Sequence, residues 1–219
     1  MALLGIWNRN FLGASTLNIA PYAAPLGLLA SFLQQLEMES NGKSTHIDGS
    51  PVAIDTAPLI WGGLGINGQH AYFQMVHQGT QMIPVEFIGV LNVPNAVRSQ
   101  QEFVLSSMIA QAEALLKGRS FEESPEPKAH RTFPGDTPSS TLLIDELTPE
   151  RLGALIALYE HKIFYHGVIW NIYSFDQWGV ELGKELATSL QPLIKDASAL
   201  SQASASTAGV LAYLHQLRQ

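Results

Sequence analysis

The sequence predicts a three-layer α/β fold, a mostly parallel sheet flanked by helices, followed by a C-terminal helical extension. Three observations carry this. Short apolar runs alternate with amphipathic stretches, and such alternation favours parallel strands covered by helices on both faces. The 219 residues are 46% hydrophobic, enough to bury the core of one large domain. From Thr148 onward the pattern is almost entirely helical.

Residues 1–12 have helical spacing, and Thr16 to Tyr22 reads as the first strand. Leu26 to Met38 follows as a helix with Pro25 suited to its first turn, stopping near Asn41 and Gly42, which accept the left-handed conformation. The runs 44–47 and 51–54 flank Asp48, Gly49 and Ser50 and predict a hairpin, because Asp-Gly tolerates positive φ. Ala57 to Trp61 reads as a buried strand; a glycine-rich loop then leads to a helix from about Gln69 to Gln78. Met82 to Leu91 is the next strand, and Arg98 to Lys117 a long helix ended by Gly118. The proline-rich and polar stretch that follows is a surface excursion. Thr141 to Leu147 forms a further strand, and Thr148 and Pro149 are the N-cap and first residue of a helix reaching about Phe164. Helix continues to Lys195 with a break at Tyr173 to Phe175. The domain is expected to span 1–195, with a flexible connector over 197–206 and a terminal docking helix from Thr207 to Leu217.

A net charge of −7 and a pI near 5.4 argue against a nucleic-acid or membrane-surface partner, since phosphate backbones and anionic lipids attract basic patches and none is evident. A small anion needs only a few local cations or a helix N-terminus, so it stays open. With zero cysteines there is no disulfide, thiolate metal site or cysteine nucleophile, and a cytoplasmic location is expected. No segment is as long and apolar as a membrane span, and the N-terminus lacks a basic leader. The opening MALLGIWNRNFLG reads as the later turns of a helix already under way, as in a truncated chain.

FDQWGVELGK, Phe175 to Lys184, sets polar groups and two glycines among apolar residues. On a helix, adjacent pairs of Gln177, Glu181 and Lys184 lie on one face. Gly179 and Gly183 each cost about 1 kcal/mol there relative to alanine, as if something approaches the backbone. An amphipathic helix with a Glu181–Lys184 pair is the plain alternative. Residues 63–68, GLGING, satisfy the GxGxxG pattern, with Glu86 at a ribose-like distance. Glu86 sits inside a strand, however, so dinucleotide binding fits poorly. The loop still presents free N–H groups to a ligand. His70 at a helix start would have its pKa lowered by the positive helix end and exchange protons as a neutral imidazole, or serve as a local cap. His77 lies on the same face, but a metal pair lacks a third ligand; His161 and His166 read as packing or surface residues. Glu39 in MESNGK ends a helix, where the dipole and partial burial would raise its pKa toward that of a general base; a plain surface glutamate is the alternative.

The run Asn171 to Ala187 resembles the C-terminal block of the glucose-6-phosphate isomerases, also called phosphoglucose isomerases. MESNGK at 38–43, NGQHAYFQMVHQGT at 67–80, residues 147–173 and the opening LLGIWNRNFLG at 3–13 agree in the same order. The resemblance implies a sugar-isomerase-type (SIS) domain and interconversion of glucose 6-phosphate and fructose 6-phosphate, through ring opening and a cis-enediol. It implies that Glu39 moves the proton between C1 and C2, that His70 and Lys184 assist ring opening, and that Gln177 lies near the substrate phosphate. It also implies a homodimer in which His70 reaches the partner subunit's site, with no cofactor and no metal. Family members are usually more than twice this length, and the serine- and threonine-rich phosphate loop and the glycine-arginine-phenylalanine block are missing here. The 120–140 excursion is short for the family, and GGLGING replaces its usual glutamate, proline and threonine. The isolated chain is therefore expected to be inactive; a non-catalytic sugar-phosphate-binding SIS module is the alternative.

Overall fold

A computed structural model describes residues 1–196, 200 and 203–218. It divides into two compact units, Met1–Phe175 and Asp176–Gln219.

In the first unit, four strands form a wholly parallel sheet in the order β2-β1-β3-β4: β1 (Thr16–Tyr22), β2 (Leu59–Gly62), β3 (Val85–Asn92) and β4 (Ser139–Glu146). Ile19 lies level with Gly62 on one side and Glu86 on the other. One face of the sheet buries Leu17, Ile19, Ile88 and Val90 against α2 (Leu29–Leu33) and α7 (Pro149–Trp170). The other buries Ala20, Tyr22, Val85 and Phe87 against α3 (Gly65–Ala71), α4 (Phe73–Gln78) and α5 (Arg98–Lys117). The alternation of these inward residues along β1 and β3 follows from the two-residue period of a strand. Both faces are covered, which gives the expected three layers.

Several elements depart from the expected boundaries. The first helix is α1 (Ala2–Ile6), continued by a π-helical turn over Trp7–Phe11, and α1 packs against α7. The Trp170 indole N–H donates to Asn10 Oδ1 at 2.9 Å, fastening this N-terminal segment to the end of α7. The helix expected from Leu26 to Met38 is three pieces: a 3₁₀ turn at Ala24–Leu26 around Pro25, then α2, then a π-helix over Gln34–Glu39. Asn41 and Gly42 do not take positive φ. Gly42 is required for a different reason, because a Cβ there would run into the Met38 carbonyl.

The hairpin at Asp48 contracts to a single antiparallel bridge, Thr45 with Pro51, closed by the Asp48 carboxylate accepting from the Ser50 amide and hydroxyl. The helix expected from Gln69 begins earlier, at Gly65, and breaks at Tyr72, where φ is −142°. A Cβ at Gly65 would overlap the Tyr22 ring, so the glycine lets α3 start directly against the sheet. The polar excursion contains α6 (Lys128–Arg131) and closes on itself through the Arg119–Phe133 bridge and the Ser124 hydroxyl, which donates to Ser120 O and Arg131 O. Helix α7 runs beyond Phe164 to Trp170 and stops where Asn171 turns left-handed, at φ 53°.

In the second unit a 3₁₀ turn at Trp178–Val180 leads into α8 (Glu181–Lys195), which pairs with α9 (Ala205–Leu217). His215 Nε2 reaches Leu193 O at 2.8 Å, and the Arg218 guanidinium donates to Ile194 O at 2.7 Å. The expected connector falls partly outside the described residues; its final part opens α9, with the Ser204 hydroxyl as N-cap.

Candidate functional site

Glu39 is the last residue of the π-helical turn, a geometry whose wider hydrogen-bonded ring recurs at functional sites. Its side chain is exposed among the described residues, without the partial burial expected for it. The residues on either side are anchored instead. Glu37 is 3% exposed and Asn41 0%. The Asn41 amide donates to Glu37 Oε1 at 3.2 Å and to Ile163 O at 3.0 Å on α7, and its oxygen accepts from the Ser174 hydroxyl. Lys43 Nζ caps the turn by donating to Glu39 O and Ser40 O, and the Thr56 hydroxyl donates to Lys43 O. The turn thus presents one carboxylate outward from a segment held by hydrogen bonds on both sides of it.

His70 lies in the last turn of α3 and is exposed. This corrects the placement at a helix start: α3 begins within the glycine loop, at Gly65. Beside His70, Gln69 Nε2 donates to the Tyr22 hydroxyl at 2.9 Å, and burial pushes the Tyr22 phenol up to about 12. Glu86 does not face the glycine loop. Its carboxylate lies on the α7 side of the sheet, whereas GLGING opens α3 on the opposite side, so the dinucleotide pattern has no acidic partner there. His77 Nε2 is engaged by Gln111 Oε1 of α5 at 2.7 Å, with its ring edge-on to Phe133. Among the described residues no three histidine, aspartate or glutamate side chains are placed to hold a metal ion.

Gln177 and Lys184 belong to the second unit. Gln177 immediately precedes the 3₁₀ turn and Lys184 lies in the first turn of α8; both side chains are exposed. Asp176 and Gln177 are therefore not on the helix that carries Glu181 and Lys184. A Cβ at Gly179 or Gly183 would meet only open space, so nothing among the described residues requires these glycines to be small.

Below the N-terminal ends of the strands lies a cavity of about 140 Å³, lined by α1, α7 and the starts of β1, β3 and β4. Two buried pairs face it. Lys162 Nζ donates to Glu86 Oε1 at 2.5 Å, while the Tyr159 hydroxyl donates to Glu86 Oε2 at 2.9 Å. Burial first, then the Glu86 charge and that hydrogen bond, push the Tyr159 phenol well above the ordinary tyrosine range. In the second pair His166 Nδ1 meets Glu37 Oε1 at 3.2 Å, and Nε2 meets Ala2 O at 3.1 Å. Reading His166 as a packing or surface residue missed this arrangement. A signal was available: Tyr159, Lys162 and His166 recur at three- and four-residue spacing on the inward stripe of the helix, among apolar residues such as Leu155 and Ile163.

The family model described as phosphoglucose isomerase matches residues 1–211. The chain belongs to the phosphoglucose isomerase family. Among relatives, the glucose-6-phosphate isomerase of Cupriavidus metallidurans is 52% identical over 218 residues, covering 97% of this chain and 40% of that protein. The glucose-6-phosphate isomerase of Corynebacterium glutamicum is 47% identical over 217 residues, covering 94% and 40%. The crystal structure of a glucose-6-phosphate isomerase from Chlamydia trachomatis superposes with a TM-score of 0.85 at 40% identity, over 99% of this chain and 41% of that one. The chain thus spans about 40% of the length of the phosphoglucose isomerases it matches. Among the described residues no helix is long and apolar enough to cross a membrane.

Proposed function

We propose that the protein carrying this chain is a cytoplasmic, homodimeric aldose–ketose isomerase of glycolysis and gluconeogenesis, and that the chain is its C-terminal SIS-type part. The substrates are glucose 6-phosphate and fructose 6-phosphate. The family match over residues 1–211 carries the reading. His70 and Lys184 open the sugar ring by moving a proton between ring oxygen and hydroxyl, and Gln177 contacts the phosphate. The Glu39 carboxylate removes the C2 proton of the open aldose as O1 takes up a proton, giving a cis-enediol, and returns it to C1 as O2 gives its proton up. Such an enolisation needs one base held over the carbon acid and donors facing the developing oxyanion.

One geometric fact supports the dimer. Glu39 follows α2 on one face of the sheet and His70 is on α3 across the sheet, an arrangement that suits a site taking its His70 from a second copy.

The test replaces the matching 40% of the Cupriavidus metallidurans enzyme with this chain. The chimera is expected to interconvert the two sugar phosphates, and Glu39→Gln to lower kcat by about a hundredfold or more, as loss of a general base does. The purified 219-residue chain is expected to show no turnover. Full activity in the Glu39→Gln chimera would overturn the assignment of the base, and turnover by the chain alone would overturn its role as a part.

A further inference from the structure

We infer that Glu37 and His166 are positioning residues for Glu39: the buried His166–Glu37–Asn41 chain of hydrogen bonds fixes where the exposed carboxylate sits. The inference rests on the reading of Glu39 as the base.

Glu37 and Asn41 stand two residues before and two after Glu39, and both turn into the protein while Glu39 turns out. They are bonded to each other through Asn41 Nδ2 and Glu37 Oε1, so the chain segment bearing Glu39 is closed into a small loop by a side-chain contact. Each is also fastened to α7, Asn41 through the Ile163 carbonyl and Glu37 through His166. His166 cannot turn away. Its ring is 1% exposed, lies 5.0 Å from the Trp170 ring, and so crowds Gly5 that a Cβ there would overlap it. Its second nitrogen meets Ala2 O, which completes a line of bonded groups from α1 across α7 to the Glu39 turn.

The line continues beyond Asn41. The Ser174 hydroxyl donates to Asn41 Oδ1, and Ser174 is three residues before Gln177 in the chain. A helix of α geometry would not need such a clamp; the π-helical turn at Gln34–Glu39 holds an extra residue per hydrogen-bonded ring and persists where surrounding contacts fix it. A buried carboxylate is likewise held only where donors satisfy it, and Glu37 Oε1 has two.

The test uses the same chimera with the Cupriavidus metallidurans enzyme, with the reaction run in deuterium oxide. A base held over both carbons returns part of the proton it removes, whereas a displaced base loses more of it to solvent. Glu37→Ala and His166→Leu are expected to lower kcat by about tenfold or more with KM within about twofold, the pattern of a misplaced group acting in the transition state. They are also expected to raise the deuterium content of the product. His166→Gln, whose amide can still donate to Glu37, is expected to recover most of both. Wild-type kcat and deuterium content in Glu37→Ala and His166→Leu, with Glu39→Gln inactive, overturn the positioning role alone; an active Glu39→Gln overturns the reading beneath it.

Amide exchange in the 219-residue chain supplies a measurement independent of turnover. The Gly42 N–H, bonded to Met38 O at 3.0 Å, is expected to exchange at least about tenfold faster in Glu37→Gln, with β1 and β3 unchanged. Equal exchange would overturn the clamp even if the alanine variant fails to fold.

Discussion

Glu86 keeps a carboxylate between sheet and helix because α7 supplies two donors, Lys162 and Tyr159. Removing one donor leaves an oxygen buried without a partner, and the cost is that of desolvating it. Tyr159→Phe is expected to destabilise the chain by about 1–3 kcal/mol in urea unfolding; a change under a few tenths of that would show that solvent already reaches Glu86. Asp48 offers the opposite setting, fully exposed and local. The Ser50 hydroxyl, then its amide, donate to the Asp48 carboxylate and hold its pKa below 3.8. A carboxylate depressed in the folded state stabilises it above the unfolded pKa, and that contribution is lost as pH falls through the lower, folded value. An NMR titration should place the Asp48 midpoint below 3.8 and move it upward in Ser50→Ala; an unmoved midpoint would exclude the hydroxyl as the cause.

Helix α7 begins where the sequence says it should. The Thr148 hydroxyl accepts from the Arg151 amide at 3.2 Å, with Pro149 in the first turn. Thr148→Ala is expected to cost about 1 kcal/mol, read as a lower midpoint of thermal unfolding; no shift would mean that the α7 stripe alone sets the boundary. Caps and long apolar stripes are local signals, which is why β1 and α5 take the limits their residues predict. Other boundaries are set from a distance. The start of α3 depends on Gly65 fitting beneath the Tyr22 ring, a contact between residues far apart in the chain. The π-helical turn before Glu39 depends on His166 and Ile163 of α7, which no periodicity within residues 26–41 encodes. FDQWGVELGK looks like one helix by spacing, yet only its last four residues enter α8.

At the scale of the molecule, the three layers follow from alternating strands and helices, whereas the strand order and the face taken by each helix required the fold. The four proposed site residues took their roles from motif resemblance, and in the fold each is exposed, so burial does not single them out. Their distribution supports a strong test of shared sites. Co-expressing the Glu39→Gln and His70→Ala forms of the chimera should restore about a quarter of wild-type activity, because half the dimers are mixed and one of their two sites is intact. Sites confined to one subunit would recover nothing.

The bond from Trp170 to Asn10 has an optical consequence. Of the chain's 4 tryptophans, Trp7 and Trp178 are about half exposed, Trp61 is partly covered, and Trp170 is sealed at 1% with His166 against its ring. Its emission is therefore expected at the blue end of the spectrum, moving to the red when the N-terminal segment carrying Asn10 peels from α7. The same indole that seals the clamp on the Glu39 turn gives a light signal for its release, readable without a label in stopped-flow or single-sample melts.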